Sequence, residues 1–576
     1  MNTARSSRLR LFTVLVAALL TLLHGHAQVA APPSSRSIIE LQPTRLSESV
    51  ALENPAARPG RATLTQLNPA INTWLLLALQ RPGQREAATY HIENADPAGQ
   101  RVALDASNPG QLVLRAGGHA SPCVLWPGDA LEQARRSRLP YAPLCEGKLY
   151  LRNPVKGNRT RLEATTEFLR DHVWHGEQII GFVKREFYRD AFIERAKPGG
   201  GGDVSRPALR DAPPAASMKA GVAQATVVAD GLGIDLAVQG SLFPGQWYAA
   251  AGLDRVYVSV AQPAALAERA STGPPRWRPL DPVESGALAY LVAFDLAAFD
   301  VGFGLGTEHP RLDWSARVAD ALREREVPGP DGIASAAPLE RTGMVSPALQ
   351  SRVVATFTGG FKREHGAFRH GALAAVNQGS HYGFIEQGVV FSSLVPGLST
   401  LYVLGDGSVG MKTWSAGDKR QPGPIRHARQ NGVPLIERDP AGGTSVIGAL
   451  VDAWGQGNWS GSADEKLRTV RAGACLIDQG ERHFLVYGYF SAATPRGMAQ
   501  VFQAYGCSYA MHLDMNALEH TYLALYPHSG SHIGVEHLVD GMAVLDKTVG
   551  KTLVPRFLGF ADDRDFFYLV ARKEKR

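Results

Sequence analysis

The chain of 576 residues is too long for one ordinary domain, and its length favours two to four domains. Its hydrophobic fraction of 44% is that of a globular protein, while 60 glycines and 37 prolines favour short strands and turns over a helical bundle. The net charge of +6 is mild and includes no block of Lys or Arg, so we expect no nucleic-acid partner. A solvated, slightly basic surface is the simpler interpretation of the charge, and an anionic ligand or envelope surface is the alternative.

The N-terminus has the pattern of a secretory signal peptide. Three arginines precede the apolar run 11–23, and the small residues Gly25 and Ala27 follow it in a cleavage pattern. The run is too short for a comfortable membrane span, although an uncleaved anchor is the alternative. We therefore predict a signal peptide over residues 1–27, no transmembrane segment after its removal, and export to the periplasm or the extracellular space.

Four cysteines in an oxidising compartment favour disulfide bonds. Cys123 and Cys145 flank a loop rich in Pro, Arg and Leu, which a bridge would staple. Cys475 and Cys507 lie on either side of a predicted helix and could form a second bridge. Three pairings are possible, and the sequence does not choose among them. None of the spacings resembles a zinc site.

The composition divides the chain into regions after the signal peptide. Residues 28–61 are predicted to be a flexible lead-in, and 62–196 an N-terminal β-rich domain with a helical end over 161–195. The Gly- and Pro-rich stretch 197–217 is the predicted linker. Residues 218–576 are predicted to form a mixed α/β domain, so the expected fold class is α+β.

The segment around Asp514 is predicted to organise the second domain. Thr494 is suited to cap a helix, and Gly506 is suited to the position just past its end. The apolar run 509–513 that follows is typical of a buried strand, and this strand ends in Asp514 and Asn516. A carboxylate and an amide therefore lie where a core strand reaches the surface, which is where α/β folds place their chemistry.

Two polar turns supply candidate ligand contacts. The strand 353–357 runs into a turn with paired glycines, whose backbone N–H groups can approach a ligand closely, although a tight turn alone also explains them. A second cluster of polar donors lies ahead of Pro434, and it too is either a binding element or a simple turn. The candidate substrate-binding residues of the two turns are Gly359, Gly360, Phe361, Lys362, His365, Arg429, Gln430 and Asn431.

Several motifs, taken in their order along the chain, resemble those of the phosphodiester glycosidase family. The matching features are the Gly359-Gly360-Phe361 turn, a hairpin with Asp406-Gly407, the Arg468-Thr469 pair, Gly506-Cys507 and Leu513-Asp514. The resemblance covers roughly residue 218 to the C-terminus. Two departures mark a divergent bacterial branch. Thr358 replaces the family's Asn before the paired glycines, and Met515-Asn516-Ala517 replace its glycine-rich ending.

The resemblance implies an exported hydrolase that cleaves a glycosidic bond in a sugar phosphodiester or a related envelope glycan. Such an enzyme stabilises an oxocarbenium-like centre and neutralises a departing phosphate. The resemblance assigns the phosphate to Arg468, with Lys362 and Arg429 in support. It assigns to Asp514 the sugar cation or the attacking water, with His512 as its titratable partner.

Asn516, on the same strand face as Asp514, is the candidate for holding a sugar hydroxyl. Each catalytic candidate also has a structural interpretation: Arg468 in an ion pair, His512 in the core and Asp514 as a turn cap. Two functional alternatives stay open, namely a non-catalytic carbohydrate-binding or polymer-assembly protein and a metal-dependent phosphodiesterase. The sequence specifies no cofactor, metal or oligomeric state. Four histidines form a cluster without ligand spacing, and we expect them in solvated loops: His520, His528, His532 and His537.

Overall fold

The structure is a computed structural model, and it describes most of the chain. The described residues are 35–52, 60–81, 83–126, 128–161, 163–165, 168, 191–199, 209–222, 225–267, 279–314, 320–323, 326–362, 382–419, 423–439, 445–452, 468–530 and 532–573. The predicted signal peptide, most of the predicted helix over 161–195 and His365 lie outside these residues. No helix in the described ranges has the length and apolar character needed to span a membrane.

The strands are numbered along the chain. The first group is β1 (Leu46–Leu52), β2 (Gly60–Gln66), β3 (Trp74–Gln80), β4 (Ala88–Asn94), β5 (Gln100–Leu104), β6 (Gln111–Ala116), β7 (His119–Val124), β8 (Tyr141–Leu144) and β9 (Leu149–Arg152). The second group is β10 (Lys197–Pro198), β11 (Val227–Val228), β12 (Trp247–Ala249), β13 (Val256–Ala261), β14 (Ala289–Asp295), β15 (Phe299–Gly304) and β16 (Val353–Thr358).

The remaining strands follow the paired-glycine turn. They begin with β17 (Phe384–Glu386), β18 (Val389–Ser392), β19 (Ser399–Leu404), β20 (Val409–Thr413), β21 (Ile425–Gln430), β22 (Pro434–Arg438), β23 (Ser445–Ile447), β24 (Thr469–Gln479), β25 (Arg482–Ala493) and β26 (Tyr509–Met515). They end with β27 (Leu523–Leu525), β28 (His528–Ser529), β29 (His532–Ile533), β30 (Glu536–His537), β31 (Lys547–Val549), β32 (Thr552–Val554) and β33 (Phe566–Ala571). The α-helices that lie wholly within the described residues are α1 (Ala130–Arg136), α2 (Pro282–Gly286), α3 (Pro347–Gln350) and α4 (Pro495–Ala504).

The expected α+β class is wrong, because the chain is mostly β-sheet. Strands make up 42% and helices 10% of the residues that the structure describes, and the strands pair antiparallel in every named sheet among them. The strand–helix–strand order β25–α4–β26 suggested an α/β unit. In the structure β24 lies between β25 and β26 and pairs antiparallel with both, so α4 is a crossover above an antiparallel sheet.

The central sheet has eight strands in the order β12-β13-β14-β25-β24-β26-β22-β23. Helix α4 packs on it and begins as predicted, with the Thr494 hydroxyl accepting the Gly497 N–H at 3.1 Å. Two glycines of the sheet admit the helix closely. A Cβ at Gly473 or Gly488 would lie 2.9 or 3.0 Å from the Phe502 ring. This packing holds β26, which carries Asp514, in the middle of the core.

Two five-stranded sheets, β15-β33-β16-β27-β30 and β18-β17-β21-β19-β20, complete the larger core. The N-terminal part forms the sheets β1-β2-β3-β4-β9-β8 and β5-β6-β7. Strand β3 is shared between two hydrophobic cores, because Leu75 and Leu77 face the small N-terminal core while Trp74 and Leu76 face the large one. The predicted domain limits themselves stay a prediction.

Both suggested disulfides form. Cys123 pairs with Cys145, and Cys475 pairs with Cys507. The second bridge ties β24 to the segment that follows α4. The structure therefore chooses the pairing that the sequence left open, and two disulfides are consistent with an exported protein.

Candidate active site at the end of strand β26

Asp514 is the penultimate residue of β26 and is 5% exposed. Its Oδ2 accepts a hydrogen bond from Nη1 of Arg564 at 2.7 Å, and its Oδ1 accepts the Met515 N–H at 2.8 Å. The guanidinium beside Asp514 is thus Arg564, a residue that the sequence analysis did not single out. The carboxylate has a fixed orientation with a buried cation against it.

Arg564 connects Asp514 to a second acid, Glu163. Its Nη2 and Nε lie 2.9 and 3.2 Å from Glu163 Oε1, and Lys362 Nζ lies 2.6 Å from the same oxygen. Burial raises the pKa of Glu163, but Arg564 and Lys362 outweigh burial and hold this pKa well below its usual range. We call Asp514, Arg564, Glu163 and Lys362 the buried ion cluster.

A second group of polar side chains lies beside the buried ion cluster. Asp563 Oδ2 is 3.1 Å from Arg159 Nε and 3.8 Å from His309 Nε2, and Arg159 also pairs with Glu308. Burial and the nearby Glu163 carboxylate raise the pKa of Asp563 to about 7. Burial likewise lowers the pKa of His309, which favours a neutral imidazole. The site therefore contains carboxyl groups whose environments differ strongly.

The turn after β26 contributes two more titratable side chains. Glu519 accepts a hydrogen bond from the Thr160 hydroxyl, and one of its oxygens lies 3.4 Å from His520 Nε2. His520 Nδ1 lies 2.8 Å from the Met515 carbonyl oxygen. Another histidine of the predicted solvated set, His537, is instead buried, with its Nε2 3.0 Å from an Asp546 oxygen.

Beneath the site, Arg429 and Asn431 form a fully buried polar network. Arg429 Nε donates to Asp565 at 2.8 Å and Nη2 donates to the Phe361 carbonyl at 2.8 Å. The Asn431 amide donates to the His512 carbonyl at 2.7 Å. These bonds join the paired-glycine turn to β26 and so bring two of the candidate segments together. The donors that form them point into the protein.

The paired glycines let the backbone pass close to the buried side chains of this network. A Cβ at Gly359 would lie 2.3 Å from Asp565 Oδ2, and a Cβ at Gly360 would lie 3.0 Å from the Asn431 side chain. Gln430 is also fully buried, and its Oε1 accepts the N–H of Gly383 at 2.9 Å. The geometry thus supplies a structural reason for these residues, and their contact with a substrate stays a prediction.

His512 lies in the core, as its apolar surroundings suggested. Its ring stacks on Phe361 with centroids 4.8 Å apart, and its Nε2 is 3.0 Å from Nη1 of Arg471. Burial and then Arg471 lower its pKa well below the usual value, so the imidazole is neutral. Its assigned catalytic role stays a prediction.

Arg468 pairs with an acid outside the buried ion cluster, and Asn516 lies in the turn just after β26. Arg468 Nη1 is 3.0 Å from Oδ2 of Asp281, the N-cap of α2, which is the ion pair considered as its alternative role. Asn516 has a φ of 78°, and its N–H donates to the Val470 carbonyl at 2.9 Å. The structure therefore gives Arg468 an acidic partner and places Asn516 in a turn conformation.

The sequence analysis missed Glu163, Arg564 and Asp563. The last two belong to the charged run 562–565, which immediately precedes the buried strand β33. This pattern marks a polar segment beside a core strand but does not indicate which acids Arg564 contacts. Glu163 carries no such signal, since its partner Arg564 is 401 residues away.

Comparisons with known proteins give only distant likenesses. No protein-family model matches the sequence, and no curated protein matches it. Among solved structures, the chain is similar to the catalytic domain of zebrafish N-acetylglucosamine-1-phosphodiester alpha-N-acetylglucosaminidase at 10% identity, with a TM-score of 0.29, over 56% of this chain and 85% of that one. It is also similar to a hypothetical protein from Synechocystis at 11% identity, with a TM-score of 0.22, over 87% of this chain and 97% of that one. Both likenesses are weak.

Proposed function

We propose that the chain is an exported hydrolase that cleaves the glycosidic bond of a sugar phosphodiester or a related envelope glycan. The observation that supports this proposal is the buried ion cluster at the end of β26. It holds the Asp514 carboxylate 2.7 Å from a guanidinium and adds the Lys362 ammonium through the shared Glu163 carboxylate. Anionic and cationic groups are thereby preorganised within one small volume.

The negative and the positive groups of the cluster act on different parts of the substrate, namely the sugar and the phosphate. Water adds to the anomeric carbon while the bond from that carbon to the phosphate oxygen breaks. The electron pair leaves with the phosphate, and the proton that the water loses passes to the phosphate product or to solvent. Asp514 stabilises the oxocarbenium-like centre and orients the water. Arg564 and Lys362 supply positive charge for the phosphate, which is already a good leaving group. Glu163 keeps these two cations together in the absence of substrate.

Hydrolysis of hexose-1-phosphodiesters by wild type and by Asp514→Asn tests the proposal. Asn retains a side-chain oxygen for Arg564 but removes the negative charge. Asp406→Asn is the matched control, because Asp406 lies in the exposed turn between β19 and β20, where its Oδ1 accepts the Ser408 N–H at 2.9 Å. We expect wild type and the control to turn over and Asp514→Asn to lose roughly two to four orders of magnitude in kcat/KM.

Reaction in ¹⁸O-labelled water identifies the bond that breaks. Cleavage at the anomeric carbon places the label in the sugar, whereas cleavage at phosphorus places it in the phosphate product. Label in the phosphate, or an unchanged rate in Asp514→Asn, would refute the proposal. Glycan binding without turnover in wild type and both variants would indicate a binding protein.

A further inference from the structure

Glu308, His309 and Asp563 bring metal-ligating side chains together beside the buried ion cluster. The N–H groups of Glu308 and His309 donate to the Asp563 carbonyl at 3.2 and 2.9 Å, so the backbone fixes the two segments against each other. One ligand atom from each of the three side chains lies within 4.8 Å of the others. Two carboxylates and an imidazole on fixed backbone are a common donor set for divalent metals.

The Asp563 side chain has an unsatisfied oxygen at this place. Asp563 is 1% exposed, and its Oδ1 accepts no hydrogen bond from the part of the chain that the structure describes. A buried acceptor without a partner is costly, and such atoms in native proteins call for a bound water or ion. The second oxygen of the same carboxylate is the one near Arg159 and His309.

The charge balance of the surrounding side chains also favours a cation. Asp562 is neutralised separately by Arg556, with the two side chains 2.7 Å apart. Among the other described residues of the site, five carboxyl groups face four cationic side chains. The carboxyl groups are those of Glu163, Glu308, Asp514, Glu519 and Asp563, and the cations are Arg159, Arg341, Lys362 and Arg564, which leaves an excess of one negative charge when all five carboxyl groups are ionised. Buried charge without compensation is expensive, and a divalent ion would offset this excess.

We propose that Glu308, His309 and Asp563 bind one divalent transition-metal ion of the Zn²⁺ or Mn²⁺ type. An imidazole in the donor set favours these ions over Ca²⁺ and Mg²⁺, which take oxygen ligands. A second group, Glu163 with Glu519 and His520, has similar spacing, but Glu163 Oε1 is already held by two cations. The Glu308 group is therefore the better metal site.

Arg159 competes with the metal at this site. Its guanidinium pairs with Glu308 and lies 3.1 Å from Asp563 Oδ2, so it neutralises two of the three ligands. A metal ion must share these carboxylates with Arg159 or displace it. Removing the guanidinium should therefore tighten metal binding, whereas removing a ligand should weaken it. A purely structural ion pair would show neither effect.

Calorimetric titration of the tag-free, chelator-treated protein with Zn²⁺, Mn²⁺ and Ca²⁺ tests the proposal. Glu308 is half-exposed, so Glu308→Gln should fold, and the exposed Asp320→Asn is the matched control. We expect one equivalent of Zn²⁺ or Mn²⁺ in wild type and the control, an affinity at least about tenfold weaker in Glu308→Gln, and a tighter one in Arg159→Gln. Metal should also raise the Tm of wild type but not that of Glu308→Gln.

Four results would overturn the inference. They are no binding at millimolar metal, equal affinity in wild type and Glu308→Gln, binding of Ca²⁺ as tight as that of Zn²⁺ and Mn²⁺, or unchanged affinity in Arg159→Gln. The titration contains no substrate. Its outcome is therefore independent of the proposed hydrolase activity, and either proposal can fail without the other.

Discussion

Glu386 should make the stability of the protein depend on pH. This residue of β17 is buried, and its Oε2 accepts the Leu305 N–H at 3.0 Å. Burial raises its pKa from 4.5 to about 7, against the attraction of Arg152 and Arg341 and with the repulsion of Glu93. Because Arg152 and Glu93 belong to β9 and β4, the carboxyl group lies where the N-terminal sheet meets the rest of the protein.

The sign and size of the effect follow from linkage. Below pH 4.5 Glu386 is protonated in both the folded and the unfolded chain and contributes nothing. As the pH rises from 4.5 to about 7, the unfolded chain ionises more readily than the folded one, so the folded state loses stability. A shift of this size corresponds to about 3 kcal/mol, at 1.36 kcal/mol for each pKa unit.

The perturbation is Glu386→Gln, which keeps an acceptor for Leu305 and cannot ionise. Urea unfolding of wild type and Glu386→Gln between pH 5 and pH 8, with the exposed Glu481→Gln as control, measures the difference. We expect the free energy of unfolding of the variant to rise progressively relative to that of wild type over this range, by about 3 kcal/mol at the upper end. The contributions of the other titrating groups are the same in both proteins and cancel in the comparison. Parallel pH profiles for wild type and Glu386→Gln would refute the reasoning.

Two further predictions concern the buried ion cluster and the second disulfide. Glu163→Gln leaves two buried cations without their shared carboxylate, so we expect a loss of about 3–5 kcal/mol in urea unfolding. A loss within about 1 kcal/mol, as for a surface pair, would show that the cluster is solvated. Replacing both Cys475 and Cys507 by Ala opens a bridge with a sequence separation of 32 residues, which should cost about 2–5 kcal/mol. If wild type has the same urea midpoint of unfolding after reduction as before it, the bridge contributes no stability.

The parts of the fold that the sequence predicts are those with local causes. Helix α4 follows from its Thr494 cap and Gly506, and the turn between β19 and β20 follows from the Asp406-Gly407 pair. The fold class required knowing that β24 lies between β25 and β26. The pairing of β24 with β26 leaves no mark in any window of the sequence, because these strands are not joined by a hairpin and long-range packing brings them together.

The candidate site shows the same limit. Asp514 could be selected because a carboxylate at the end of a buried strand is a local pattern. Its cationic partner could not be selected in this way, and the sequence analysis named Arg468 as the main cation of the site instead. Arg468 is 3.0 Å from Asp281, 187 residues away, while Arg564 lies against Asp514. Which arginine contacts Asp514 depends on the final arrangement of the sheets.

The position of Glu163 in the chain has a consequence for cutting the protein into fragments. Lys362, Asp514 and Arg564 all follow the predicted linker over 197–217, whereas Glu163 precedes it. A fragment cut at the linker would retain β26 but would leave the Lys362 ammonium and the Arg564 guanidinium without the carboxylate that lies between them. The two halves of the polypeptide thus share one electrostatic unit, and separating them leaves its cations uncompensated.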